Sequence, residues 1–127
     1  ELHYGRDALV GIALFLSNLA TSGLTCTQLR EKYPNYFISK NKIELSPDIN
    51  IDDILQKLKV KYSSKPINDI DGLKIEFDKE WVHLRRSNTE MIIRIYSESD
   101  SINKAEHLAK KIITDIKEII REQVLNN

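Results

Sequence analysis

The chain has 127 residues, 41% hydrophobic, 30% charged and 7% aromatic, with 19 Lys+Arg set against 19 Asp+Glu. That length suits one domain, or one domain with an appendage, and the hydrophobic share excludes wholesale disorder. Zero net charge excludes a surface that grips a polyanion everywhere but permits a local basic site, and a single cysteine, Cys26, excludes an internal disulfide or a Cys-based zinc site.

The longest apolar stretch is residues 8–16, extended by Leu19 and Ala20. As a helix it spans roughly 20 Å, short of a ~30 Å hydrocarbon core. It does not read as a signal peptide either, because Arg6 is followed at once by Asp7 and no basic region precedes it. Asp7 is placed to cap this helix and Gly23 to end it. The helix is apolar almost all round, which calls for burial on several sides. A chain of this length has little to surround it with, so its natural neighbours are expected to lie elsewhere in a longer chain. The opening on Glu1 fits a processed protein or a piece of a larger one. Thr25-Cys26-Thr27-Gln28 forms a capping box for a short helix that runs to about Lys32 and stops at Pro34.

From Asn35 the pattern turns extended. Tyr36-Phe37-Ile38 and Ile43-Glu44-Leu45 read as one strand interrupted by Lys40-Asn41-Lys42. Asn50 caps a helix with Ile51, Ile54, Leu55 and Leu58 at helical spacing, Asp52 and Asp53 favouring its dipole. Residues 65–69 are a connector. Three strands follow: Leu73, Ile75 and Phe77 alternate with Lys74 and Glu76; Val82 and Leu84 alternate with Trp81, His83 and Arg85; and the third runs from Ile92 to Tyr96. A long amphipathic helix over about 102–124 ends the chain, capped by Asp100 or Ser101. Its stripe reads Ile102, Ala105, Leu108, Ala109, Ile112, Ile113, Ile116, Ile119 and Ile120. The order β-α-β-β-β-α predicts an α+β domain: a four-stranded, mainly antiparallel sheet with two helices on one face, preceded by a helical segment.

Between the second and third of these strands lies Arg85-Arg86-Ser87-Asn88-Thr89-Glu90-Met91. Backbone N–H groups with Ser and Thr hydroxyls can line a concavity for an anion, and Arg adds forked, charge-assisted hydrogen bonds suited to phosphate. Arg94, on the strand that leaves the loop, adds another cation. A solvated hairpin loop with arginines is the other reading of the same spacing.

Asp71-Gly72-Leu73-Lys74, followed by the run from Trp81 through Arg85-Arg86-Ser87-Asn88-Thr89-Glu90-Met91 to Tyr96, resembles the C-terminal domain of the α-D-phosphohexomutases. That superfamily comprises phosphomannomutases, phosphoglucomutases and phosphoglucosamine mutases, and its last domain carries an Arg-Pro-Ser-Gly/Asn-Thr-Glu-Pro loop after an Asp-Gly strand opening. Arg86 stands where Pro is frequent and Met91 replaces the second Pro, which removes a φ constraint at the loop's exit. Gly5-Arg6-Asp7-Ala8 with the apolar helix is similar to the end of the third domain, and Tyr33-Pro34-Asn35-Tyr36 to the passage into the fourth. The resemblance implies that residues 1–34 are a helical remnant of the third domain. Residues 35–127 are then a TATA-box-binding-protein-like phosphate-binding domain.

The resemblance also implies a function. The parent enzyme interconverts hexose 6-phosphate and hexose 1-phosphate through a bisphosphorylated sugar, using a phosphoserine on its first domain and Mg²⁺ on its second. A third-domain loop reads the sugar, and the last domain grips the phosphate that is not reacting and closes the cleft. Arg85, Ser87, Asn88, Thr89 and Arg94 are then the substrate phosphate ligands, and Glu90 braces Arg85 or the loop backbone. No catalytic or metal residue lies in these 127 residues, so the piece alone is expected to be inactive and to bind no Mg²⁺ itself. The expected partners are the hexose phosphate and the other three domains, in the cytoplasm, with neither membrane nor nucleic acid.

Other residues read more plainly. His83 shares a strand face with Trp81 and Arg85 and reads as a surface or cleft-edge histidine; His3 and His107 have less claim to a role. Cys26 is a helix-start residue, and Glu98, Asp100 and Glu106 are capping and dipole partners rather than metal ligands. The rival function is a non-catalytic binding module for a phosphate-bearing ligand or single-stranded nucleic acid. Such a module would use the face that carries Trp81, Arg85, Arg94 and Tyr96.

Overall fold

A computed structural model describes residues 7–125, so the readings that involve His3, Gly5 and Arg6 lie outside the described residues. The chain falls into two units, Glu1–Asn35 and Tyr36–Asn127.

In the first unit, the Asp7 carboxylate accepts from the Val10 N–H at 3.1 Å and starts α1 (Ala8–Ser22), which Gly23 ends at φ 65°. None of the α1 residues is buried, and Leu9 and Leu14 stand 78% and 68% exposed. Its apolar side chains form an exposed surface within this unit. The Thr25–Gln28 capping box opens α2 (Cys26–Glu31), with both reciprocal hydrogen bonds formed. Arg30 donates to the Tyr33 carbonyl and to Asn35 Oδ1, which fixes the turn around Pro34.

The second unit holds β1 (Phe37–Glu44), α3 (Ile51–Lys61), β2 (Ile67–Asn68), β3 (Leu73–Phe77), β4 (Glu80–Arg86), β5 (Ile92–Ser99) and α4 (Ile102–Leu125). The strands form one antiparallel sheet in the order β1-β5-β4-β3-β2. Leu73, Ile75, Val82, Leu84, Ile93 and Ile95 turn to one face, where they meet Ile54 and Leu58 of α3 and Leu108, Ile112 and Ile116 of α4. Burying each such side chain contributes about 1.5–3 kcal/mol, and this core holds the unit together.

The structure corrects the sequence reading in four places. The sheet has five strands, not four. The fifth is β2, two residues inside what reads as a connector, held by the register Ile67↔Ile75 and by Glu76 N–H to the Pro66 carbonyl at 3.0 Å. Pro66 has no N–H to give, which an edge position tolerates. Lys40-Asn41-Lys42 does not interrupt β1. The whole strand pairs with β5, and lysines suit an edge strand because they discourage further pairing.

β5 also continues past Tyr96 to Ser99, because Ser97 and Ser99 are small enough to lie buried on the inward face; the Ser97 hydroxyl donates to the Ala105 carbonyl at 2.7 Å. On α4 the buried stripe leaves out Ile102, which is exposed, and includes Asp115. Asp115 is held by the Tyr62 hydroxyl at 2.6 Å and the Lys61 ammonium at 2.9 Å, so its charge stays partnered where α3 meets α4. Ser101, not Asp100, caps α4, accepting from the Lys104 N–H, while Asp100 pairs with Lys104 Nζ at 2.8 Å. No helix of the described residues is long and apolar enough to cross a membrane.

Candidate functional site

Strand alternation leaves one face of the sheet uncovered by α3 and α4. The register puts Lys42 of β1, Arg94 of β5 and Arg85 of β4 side by side in one row across that face. Neighbouring strands lie ~4.8 Å apart, so the three cations are immediate neighbours. The next row is Lys40, Tyr96, His83 and Lys74, and the one after it Ile38, Glu98, Trp81 and Glu76. The face is therefore cationic toward the β4–β5 loop and acidic at its far end.

The loop leaves β4 after Arg86. Ser87 is buried at its entrance, its N–H donating to the Ile92 carbonyl at 3.1 Å, and its hydroxyl oxygen accepts from the Thr89 N–H at 3.5 Å. That hydrogen bond bends the chain over the serine. Asn88, Thr89 and Glu90 are exposed at the tip. At the exit, the Ile92 N–H donates to the Glu90 carbonyl and the Leu45 N–H to the Met91 carbonyl, both at 2.9 Å. The second bond pins the exit to the end of β1, a restraint at the position where proline's would otherwise act.

The carboxylate that meets Arg85 belongs to Asp71, at 3.2 Å from Nε. Gly72 makes this approach possible. It sits at φ 80°, and a Cβ there would stand 2.2 Å from the Leu84 carbonyl oxygen and 3.2 Å from the Arg85 Cα. Only glycine lets the backbone pass β4 so closely. The same approach sets the Asp71 carbonyl 2.6 Å from His83 Nε2, which donates to it. Asp71 and Gly72 thus hold both His83 and Arg85, and His83 serves as a strut.

The structure brings Arg85 and Arg94 directly opposite each other and sets Ser87, Asn88, Thr89 and Glu90 in the loop that joins their strands. Sequence reasoning gave no role to Asp71 or Lys42. For Asp71 the signal is the Asp-Gly dipeptide. For Lys42 it is the even spacing of Lys40, Lys42 and Glu44 along an edge strand. Hydrogen bonding to Glu44 raises the Lys42 pKa, as do the charges of Glu44 and Glu90, so this ammonium stays protonated. Trp81 and Tyr96 do lie on the open face, but Trp81 donates to Glu98 at 2.9 Å and carries Lys74 over its ring. Lys40 stands over the Tyr96 ring. His107 and Cys26 are exposed, away from this loop in sequence and in element. Among the described residues no three His, Cys, Asp or Glu side chains gather into one group.

An antiparallel five-stranded sheet with helices on one face, and an Arg-x-Ser-Asn-Thr-Glu hairpin at the cationic end of the other, defines an α+β domain with a basic open face. Residues 41–115 match the family described as phosphoglucomutase/phosphomannomutase, C-terminal domain, and the chain belongs to that family. It is 33% identical over 119 residues to a phosphoglucosamine/phosphogalactosamine mutase of Sulfurisphaera tokodaii, covering 92% of this chain and 25% of the relative. It is 35% identical over 106 residues to a phosphoglucomutase/phosphomannomutase of Thermococcus kodakarensis, covering 80% of this chain and 22% of the relative. A probable phosphoglucosamine mutase of Pyrococcus furiosus is 33% identical over 103 residues, 79% of this chain and 23% of the relative. The chain thus spans about a quarter of the length of the relatives it matches.

Proposed function

We propose that this chain is the C-terminal part of a hexose-phosphate mutase and that its β4–β5 loop grips the phosphate of the sugar that is not being transferred. The observation that carries the reading is the pairing of Arg85 with Arg94 at the mouth of a loop that bears Ser87, Asn88 and Thr89. Arg85 gives a forked pair of N–H donors, Arg94 a second cation, and Ser87, Thr89 and Asn88 offer hydroxyl, amide or backbone donors. No nucleophile is needed here, because the task is to hold and not to react. Binding energy gathered at this end orients the sugar's other end toward the chemistry, and drawing the phosphate in brings this domain over the cleft.

Glu90, being anionic, serves the loop rather than the ligand, and its carbonyl already braces the exit. Residues 1–34 belong to the end of the preceding domain in this reading, which the bare apolar surface of α1 supports. Magnesium, where the parent enzyme uses it, supplies charge neutralisation at the reacting phosphate and is held by residues outside this chain. Net neutrality and the acidic Glu76/Glu98 end of the open face support a small phosphate ester over single-stranded nucleic acid.

The test is a mutase assay on the full-length protein that carries this chain, over mannose, glucose and glucosamine phosphates. Arg85→Ala is expected to lower kcat/KM about 100-fold on the preferred sugar, with the 127-residue chain alone giving no turnover. Wild-type activity in the variant, or turnover by the chain alone, overturns the reading.

A further inference from the structure

The row Lys42–Arg94–Arg85 raises a question of charge. Like charges directly opposite on neighbouring strands destabilise a sheet, yet three cations stand in line here. Each end of the row carries its own carboxylate: Asp71 lies 3.2 Å from Arg85 and Glu44 lies 3.0 Å from Lys42. Arg94, at the centre, takes part in none of the ion pairs among the described residues. The uncompensated charge therefore sits between the loop and the edge strand. A depression of about 320 Å³ opens on that side, lined by Lys40, Lys42, Glu90, Arg94 and Tyr96 among others.

We propose that Lys42 of β1 is a further phosphate ligand, closing the site from the side opposite Arg85. This rests on the reading that the β4–β5 loop holds a phosphate. Lys42 is the cross-strand neighbour of Arg94, on an exposed and flexible stem. A phosphate dianion seated at Arg94 draws the ammonium off Glu44, because it offers two charges and several acceptor oxygens where Glu44 offers one charge. Until then Glu44 and Glu90 hold the ammonium close to the site. Lys40 differs in that it lies one row farther from the loop, over the Tyr96 ring.

The experiment titrates the 127-residue chain with inorganic phosphate and with glucose 6-phosphate, following backbone amide and lysine Nζ resonances by NMR. Lys42→Ala is expected to weaken both ligands about tenfold, the size of one lost charge-assisted hydrogen bond at a partly exposed site. Lys42→Arg is expected to restore most of the binding, and Lys40→Ala to change it less than twofold. If Lys42→Ala binds as the wild type does while Arg85→Ala does not bind, the Lys42 assignment is overturned and the loop reading stands. If wild type binds neither ligand, both fall. An equal loss in Lys40→Ala and Lys42→Ala reduces the effect to general surface charge and also overturns the assignment.

Discussion

Replacing Gly72 by alanine tests how the Asp71–Arg85 contact is built. The residue sits at φ 80°, where a Cβ costs about 1–2 kcal/mol in any surroundings. The added carbon would also stand 2.2 Å from the Leu84 carbonyl oxygen and 3.2 Å from the Arg85 Cα, both backbone atoms of β4. Neither can rotate away as a side chain would, so β3 and β4 must separate locally, at a further ~1–3 kcal/mol by analogy with an overpacked core. The total is about 2–5 kcal/mol, enough to lower a thermal midpoint by roughly 10 °C or more. Trp81, the chain's single tryptophan, lies half-buried on β4, so its fluorescence in a urea titration reads this sheet directly. Gly23→Ala is the control for the conformational part: it shares the positive φ, 65°, but has no atom within 4 Å of the added carbon, and it is expected to cost only about 1 kcal/mol in its own unit, read from the helical circular dichroism signal. If Gly72→Ala costs no more than Gly23→Ala, the close passage of Gly72 over β4 is wrong, and with it the explanation of how Asp71 reaches Arg85.

Other outcomes follow from the same packing. Burial pushes the Tyr62 phenol upward, with its hydrogen bond to Asp115 adding to the effect, so the folded chain keeps a proton that the unfolded chain gives up near pH ~10. Above that pH stability falls as pH rises; Tyr62→Phe is expected to cost about 1–2 kcal/mol at neutral pH and to flatten that alkaline fall, read from urea midpoints between pH 8 and 11. Lys61, raised by the same carboxylate, loses its contribution in the same direction and leaves a residual slope. Ile95→Ala, at a fully buried position in the middle of β5, is expected to cost about 2–5 kcal/mol in the same titration. Gly11→Ala, in the body of α1 with open space around it, is expected to raise helicity by circular dichroism and to gain about 0.5–1 kcal/mol.

Much of this arrangement can be read in the sequence because local chemistry determines it. Asp7, Thr25 and Asn50 are caps with only one sensible use, and each accepts the backbone hydrogen bond that its position predicts. The alternation of Leu73 to Phe77 and of Trp81 to Arg85 sorts the two faces of the sheet correctly, and with them the shared face of Arg85 and Arg94. What escapes is what depends on distant partners. Two residues, Ile67 and Asn68, carry no periodicity of their own and are a strand only because β3 lies beside them. Lys40-Asn41-Lys42 looks like a break because charge is the obvious feature there, yet on an edge strand Lys40 and Lys42 lie on the outward face while Asn41 turns to the other. Asp115 falls on an apolar stripe, and nothing near it in sequence announces the Tyr62 and Lys61 that satisfy it. The loop is the intermediate case: its Arg, Ser and Thr content is legible in the sequence, but its Asp71 brace comes from a different strand opening.

The most direct measurement is a backbone amide NMR titration of the 127-residue chain with a hexose 6-phosphate, repeated on Arg85→Ala. The predicted result is a set of saturable shifts confined to residues 85–90, Arg94 and its cross-strand neighbour Lys42, lost or greatly weakened in the variant. Shifts scattered over the open face through Trp81 and Tyr96, or shifts that persist unchanged in Arg85→Ala, would contradict it.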